Sequence, residues 1–270
     1  MQDKLYTLMD QLQLKGMSAC LDQVLSHAQH NGEALEDVLL TLLETEYQHK
    51  IERALTNRLK GAKMPWNWSL DTFPFAQQPT INKSQIMSLA KLDFIKKCEN
   101  ITLIGKPGTG KTGLAISLLR LALINGYRGR FYTAQDLLND LYASLADRTT
   151  SSLLKTIVSY DIIVIDELGY LTLTTEQINI FFKLIDMRYH KKSTIITTNL
   201  EYAKWYDVFQ NKDLVDAMLD RFKHYCTTIY IQGTSLRVPA ETTTTQAKPT
   251  TQASKPDKTQ PILESEGELL

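Results

Sequence analysis

The run Gly105-Lys106-Pro107-Gly108-Thr109-Gly110-Lys111-Thr112 has the residue types and spacing of a loop that holds phosphate groups. Its glycines let the backbone turn tightly and aim successive N–H groups at phosphate oxygens. A helix opening at Lys111 and running through Gly113 adds the positive end of its dipole. Lys111 is suited to bridge the terminal phosphates and the Thr112 hydroxyl to ligate magnesium, so the ligand this loop calls for is ATP with Mg2+. Further along, Ile162-Ile163-Val164-Ile165 leads into Asp166 and Glu167. Four apolar β-branched residues read as a buried central strand, which brings both carboxylates to its C-terminal end, where ligands collect in a parallel sheet. Asp166 would complete the magnesium shell, and Glu167 would orient and deprotonate an attacking water. Thr197-Thr198-Asn199 ends the next strand candidate. Asn199 either positions that water or begins a turn. Arg221, in Leu219-Asp220-Arg221-Phe222, ends a helical segment. It either answers that helix's dipole or acts as an arginine finger on a neighbouring subunit's terminal phosphate. Arg237 approaches the same nucleotide or begins the tail.

The elements that must position these groups alternate. Apolar strand candidates stand at 101–104, 130–133, 161–166, 194–198 and 227–231, with helical segments near 111–125, 134–147, 150–159, 175–190 and 212–223. This is the α/β pattern of a five-stranded parallel sheet between helices. Residues 1–64 are helical in pattern, with Gly16 and Asn31-Gly32 as punctuation. One long amphipathic helix there carries Leu39, Leu40, Leu42, Leu43, Tyr47, Ile51, Ala54 and Leu55. They form a small N-terminal domain for a partner or for assembly. Residues 65–99 read as a linker from Pro65 followed by a short helix from about Lys83 to Lys97, and 100–237 as the ATPase domain. Residues 238–270 are rich in Thr, Pro and Gln and read as a disordered tail, unable to bury enough apolar surface to offset its ordering entropy.

Lysine plus arginine equals aspartate plus glutamate, 30 against 30, so total charge does not argue for a nucleic-acid partner. Three widely spaced cysteines suit buried thiols in a reducing compartment better than a disulfide frame or a zinc site. No apolar run is long enough to span a membrane, and the first residues lack a signal peptide's apolar stretch, so a cytoplasmic protein is expected.

In this order, the chain resembles the AAA+ ATPases, a class of P-loop NTPase, and specifically their IstB-like/DnaC-like branch. The residues that carry this are Gly105–Thr112, Tyr132-Thr133-Ala134, Asp166-Glu167-Leu168-Gly169-Tyr170-Leu171, Arg188-Tyr189, Ser193–Leu200, Leu219-Asp220-Arg221 and Gly233–Arg237. Leu14-Lys15-Gly16-Met17 and Phe73-Pro74-Phe75 extend the resemblance toward the N-terminus and toward the insertion-sequence transposition helpers in particular. It implies strand order 5-1-4-3-2 without a helical lid, Asn199 as first sensor and Arg221 as finger. It also implies a homo-oligomer with nucleotide at subunit interfaces, which assembles on double-stranded DNA and recruits and stimulates a transposase. Two departures stand out: Gly113 where the family often has His, and Leu236 where an aromatic is usual before Arg237. Members of this branch hold DNA through a helical element before the Asp166 strand, here about Tyr142 to Lys155. Arg148 and Lys155 are then candidates for phosphate contacts, with Lys191 and Lys192 a second patch. Each is otherwise an ordinary solvated charge.

Three other functions share parts of this pattern. A DnaC-type loader of the replicative helicase has the same ATPase core. A small-molecule kinase uses the same loop, but Asp166-Glu167 supplies a water-activating acid and no arginine-rich lid segment is evident. A DNA-binding scaffold would keep the nucleotide as a structural element only.

Overall fold

A computed structural model describes residues 2–169, 171–209 and 212–237. The 238–270 stretch, expected to be a disordered tail, lies outside the described residues, as does Tyr170. Five strands, β1 (Asn100–Gly105), β2 (Gly129–Thr133), β3 (Ile162–Asp166), β4 (Ser193–Thr198) and β5 (Cys226–Ile231), pair in parallel in the order β2-β3-β4-β1-β5. This is the expected strand order. Each strand candidate read from the apolar runs lies on one of these strands.

Alternation along each strand divides the core into two halves. Ile162 and Val164 join Ile101, Leu103, Phe131, Ile195, Ile229 and Ile231 in the cluster packed on α6 (Lys111–Ile124). Ile163, Ile165 and Ile196 point the other way, into a cluster with α7 (Ala134–Ala146), α8 (Thr150–Val158), α9 (Thr175–Arg188) and α11 (Lys212–His224). A sheet covered on both faces explains why the strands read as continuous apolar runs. Helix α6 is enclosed almost all round, with Leu114 to Leu119, Ala122 and Leu123 buried. Truncating a leucine there would cost about 2–5 kcal/mol through lost transfer energy and the cavity left behind. Thr174 and Gln177 form a reciprocal capping box that starts α9. At its other end the buried Arg188 guanidinium donates to Ile157 O, Tyr160 O, Ser193 O and Thr194 Oγ1. It thus straps α8 to the first residues of β4. Burial pulls this guanidinium down to about 9.

Three helices precede the linker: α1 (Gln2–Gln11), α2 (Lys15–Asn31) and α3 (Leu35–Gly61). The first break falls at Leu12–Leu14 rather than at Gly16, which lies inside α2. Gly16 is there for close approach. A Cβ on it would stand 2.8 Å from His49 Cβ and 3.0 Å from Glu46 Cα on α3. Met17 N beside it donates to the buried Glu46 carboxylate at 3.0 Å. Gly32 does end α2, in the left-handed region with φ 64°. The apolar face of α3 is not covered as its periodicity suggests. Val38 and Leu42 are buried against α1 and α2, but Leu39, Leu40, Leu43, Tyr47 and Ile51 are exposed. The far end of α3 docks on the sheet domain instead. Arg58 Nε donates to Leu123 O at 3.0 Å, and Ala62 O accepts from Phe131 N at 2.8 Å. The single helix expected over 83–97 is two, α4 (Lys83–Leu89) and α5 (Asp93–Lys96), broken where buried Leu92 turns left-handed at φ 63°. A further helix, α10 (Trp205–Phe209), has no counterpart among the expected segments; Trp205 and Phe209 bury it against the second cluster.

Candidate functional site

β1 delivers the chain to Gly105, where a side chain is excluded: a Cβ would lie 2.3 Å from Ile231 O on β5. The loop then turns through Gly108 at φ 81° and Gly110 at φ 92°, which favour glycine. Thr109 Oγ1 and Lys111 Nζ both donate to Lys106 O, each at 2.8 Å, so the loop is held closed. Pro107, between Lys106 and Gly108, lines the cavity described below. Gly110 caps α6 without a side chain, and the first turn carries no acid. Its N–H groups are therefore available to an anion.

Beside the loop, the ends of β3 and β4 supply oxygen ligands. Thr112 Oγ1 donates to the Asp166 carboxylate at 2.8 and 3.1 Å, and Thr197 Oγ1 donates to Asp166 Oδ1 at 2.5 Å. Thr197 Oγ1 also accepts from Glu167 N at 3.0 Å, and Leu168 N donates to Thr197 O at 2.9 Å. These bonds hold Glu167 in the left-handed region, φ 59°, with its side chain exposed to the cavity. Thr112 and Asp166 together offer a hard hydroxyl and a carboxylate side by side. That pair suits magnesium, which keeps several waters and takes further oxygens from phosphate. Among the described residues, His, Cys, Asp and Glu form no cluster of three that would bind a metal without a ligand.

Burial pushes the Asp166 carboxyl above its ordinary value, and the Glu167 charge adds to this. Hydrogen bonds from Thr197 and Thr112 and the Lys111 charge pull it back. Lys111 is pulled down by burial and by Arg237, and held up by Asp166 and Glu167. Because Asp166 is raised in the folded state, its ionisation costs stability, a cost that sets in as pH rises past the ordinary carboxylate range and is complete above the raised folded value. Asp166→Asn should therefore raise the melting temperature of the nucleotide-free protein at pH 7. The same change should abolish magnesium-dependent turnover. Differential scanning calorimetry beside a phosphate-release assay checks both halves, and a lower melting temperature would show that the ionised carboxylate stabilises the fold.

A cavity of about 270 Å³ joins these groups. Lys111, Thr112, Gly113, Glu167, Asn199 and Arg237 all line it. Asn199 Oδ1 is buried without a hydrogen-bond partner, and Gly169 admits it: a Cβ there would lie 2.9 Å away. Arg237, left ambiguous by the sequence, stands on the cavity wall because the chain after β5 folds back over the loop. Leu236 N donates to Gly108 O at 2.8 Å, and Gln78 Nε2 donates to Thr234 O at 2.6 Å. Gln78 and the linker tryptophans Trp66 and Trp68 belong to no motif that sequence reasoning singles out, although Trp66 and Trp68 line the cavity. Their only signal is two aromatics closely spaced after Pro65.

The remaining candidates lie apart from this cavity. Arg221 pairs with Asp186 at 3.0 Å, donates to Ala217 O at 2.9 Å and lies 5.1 Å from the Phe182 ring. It lines a small cleft with Asn100, the first residue of β1, so it sits toward the strand ends opposite the phosphate loop. Arg148 is exposed between α7 and α8, and Lys155 is exposed on α8. Lys191 is exposed ahead of β4, whereas Lys192 is held by Asp161 at 2.6 Å.

Residues 7–244 match the family model described as IstB-like ATP binding protein. The chain is 36% identical over 235 residues to the insertion sequence IS232 ATP-binding protein of Bacillus thuringiensis subsp. berliner, covering 87% of this chain and 94% of that one. It is 33% identical over 235 residues to the IS21 counterpart of Pseudomonas aeruginosa, covering 87% and 89%. Among solved structures, the DnaC helicase loader matches with TM-score 0.51 and 28% identity, over 63% of this chain and 99% of that one. The replication initiator DnaA bound to AMPPCP and single-stranded DNA matches in fold, with TM-score 0.53 and 20% identity over 63% of this chain and 51% of that one. With its phosphate loop, its strand-end carboxylates and a family match over most of its length, the chain belongs to the IstB-like ATP binding proteins.

Proposed function

We propose that this protein hydrolyses ATP to ADP and phosphate and serves as a transposition helper. In this reading it assembles as a homo-oligomer on double-stranded DNA and recruits and stimulates a transposase in the cytoplasm. The observation that carries the hydrolytic reading is Glu167, its side chain exposed to the same cavity as Lys111, beside the Thr112–Asp166–Thr197 cluster. The loop N–H groups and Lys111 bind and orient the triphosphate. Thr112 and Asp166 hold magnesium, which when bound neutralises charge on the phosphates. Glu167 takes a proton from the attacking water, Asn199 orients that water, and Arg237 faces the phosphates. Arg221 lies toward the opposite strand ends, which suits delivery to a neighbour's nucleotide rather than its own. Residues 1–64, with the exposed apolar side of α3, are suited to a partner or to assembly. The insertion-sequence relatives support the transposition reading over the others.

A helicase-loader role is the second reading, favoured by the likeness to the DnaC helicase loader. The two separate by partner. Phosphate release and strand transfer measured with duplex DNA and the cognate transposase should both rise with this protein and ATP. Stimulated loading of a replicative helicase, without effect on strand transfer, would transfer the assignment. A phosphorylated small-molecule product would instead make it a kinase.

Arg148 and Lys155 are the proposed phosphate contacts, with Lys191 and Lys192 secondary. Arg148→Ala with Lys155→Ala should weaken duplex binding for every sequence alike and make log Kd less steep against log salt by roughly two contacts' worth. Binding followed by anisotropy from low to moderate salt reads this. An unchanged affinity and slope would remove both residues from the interface.

A further inference from the structure

The polar groups of the nucleotide cavity all suit the phosphate chain and its water; the apolar side chains of its wall are Trp66, Trp68, Pro107 and Leu236. Trp66 is 55% exposed, a costly place for an indole, and it lines this cavity together with Trp68. Trp68 lies directly on the first turn of α6. A Cβ on Gly113 would be 2.9 Å from its Cε3, so an indole can rest there only because residue 113 is glycine. Gly113 follows Lys111 and Thr112, the groups suited to the terminal phosphates and magnesium, so its flank is where the proximal phosphate and the nucleoside would extend. Two further contacts hold the linker in this place. Phe73 backs Trp68 with ring centroids 6.1 Å apart, and Arg120 on α6 donates to Asn67, the residue between the two tryptophans.

We propose that Trp66 and Trp68 form the base subsite of the nucleotide cavity, with Trp68 as a fixed wall beside Gly113 and Trp66 as the movable ring that stacks on a purine. This rests on the nucleotide-binding reading of the loop and adds the residues that grip the base. Stacking needs only a flat π-face, so the grip is stronger for the larger purine rings than for pyrimidines. The exposure of Trp66 follows from this role, since a ring that stacks on an incoming base must keep one face uncovered by the protein.

The test compares ATP with inorganic tripolyphosphate, which keeps the phosphates and lacks the nucleoside. Calorimetry uses the full chain with magnesium, as wild type, Trp66→Ala and Trp66→Phe. Trp66 is exposed, so neither change empties the core. Trp66→Ala should lose roughly five- to a hundredfold in ATP affinity, with tripolyphosphate affinity unchanged, and Trp66→Phe should recover most of the loss. The proposal is overturned if Trp66→Ala binds ATP as tightly as wild type, or if ATP and tripolyphosphate weaken by the same factor. Wild-type protein that binds no ATP at all would overturn the nucleotide reading itself, a result distinct from either of these.

Discussion

Glu167→Gln protein should bind ATP about as well as wild type and hydrolyse it at least about a hundredfold more slowly, the range of a lost general base. The geometry makes this substitution clean. Glu167 contributes its backbone N–H to Thr197 Oγ1, and that bond survives any side-chain change. Its side chain is exposed to the cavity, so glutamine fits the same volume without disturbing the core. The buried Asp166, to which Thr112 and Thr197 donate, is untouched. Duplex-bound complexes of the variant should persist longer in ATP, because the nucleotide that holds them is no longer consumed. Phosphate release, ATP titration and DNA dissociation kinetics measure the three consequences. Wild-type turnover in this variant would exclude Glu167 as the base.

Arg221→Ala should lower turnover of assembled protein by roughly three orders of magnitude, the effect of losing an arginine finger. Its melting temperature should move little. The Arg221–Asp186 pair that is lost has side chains 29% and 52% exposed, and such pairs contribute little to stability. A large loss of activity with a small loss of stability is what separates a finger from a structural arginine. Mixing supplies the second half of the test. With equal amounts of Arg221→Ala and Glu167→Gln protein, about a quarter of interfaces by random pairing join an intact base to an intact finger. Turnover should then recover well above either variant alone. No recovery, with assembly confirmed by light scattering, would make Arg221 a structural residue whose work is its tie to Asp186.

The phosphate loop and the Asp166-Glu167 pair were legible because their chemistry demands particular residue types at a fixed spacing. The strands were legible for a different reason: a sheet covered on both faces leaves continuous apolar runs such as Ile162–Ile165. Strand order came from the family resemblance, since spacing alone does not say which strands are neighbours. Packing between distant segments was harder to read. Gly16 looks like a helix breaker in isolation and is instead the point where α2 meets Glu46 and His49 of α3. Leu39, Leu43 and Tyr47 have helical spacing, which says that they share a side but not that anything covers it. Trp68 and Gly113 are 45 positions apart, and their contact exists only because the linker crosses α6. Arg188 enters the sequence reading only through the family resemblance, and nothing in its spacing tells that it is buried on four oxygen acceptors.

In the proposed function one chain supplies the loop, magnesium ligands and base while a neighbour supplies the arginine. Phosphate release per subunit reads this across a wide range of protein concentration, with duplex DNA present in excess of the protein's binding sites at every concentration. A site completed between subunits predicts that specific activity climbs steeply with concentration and then levels off once assembly is complete, with ADP and phosphate formed one for one. Specific activity that stays flat down to concentrations where the protein is monomeric would contradict it.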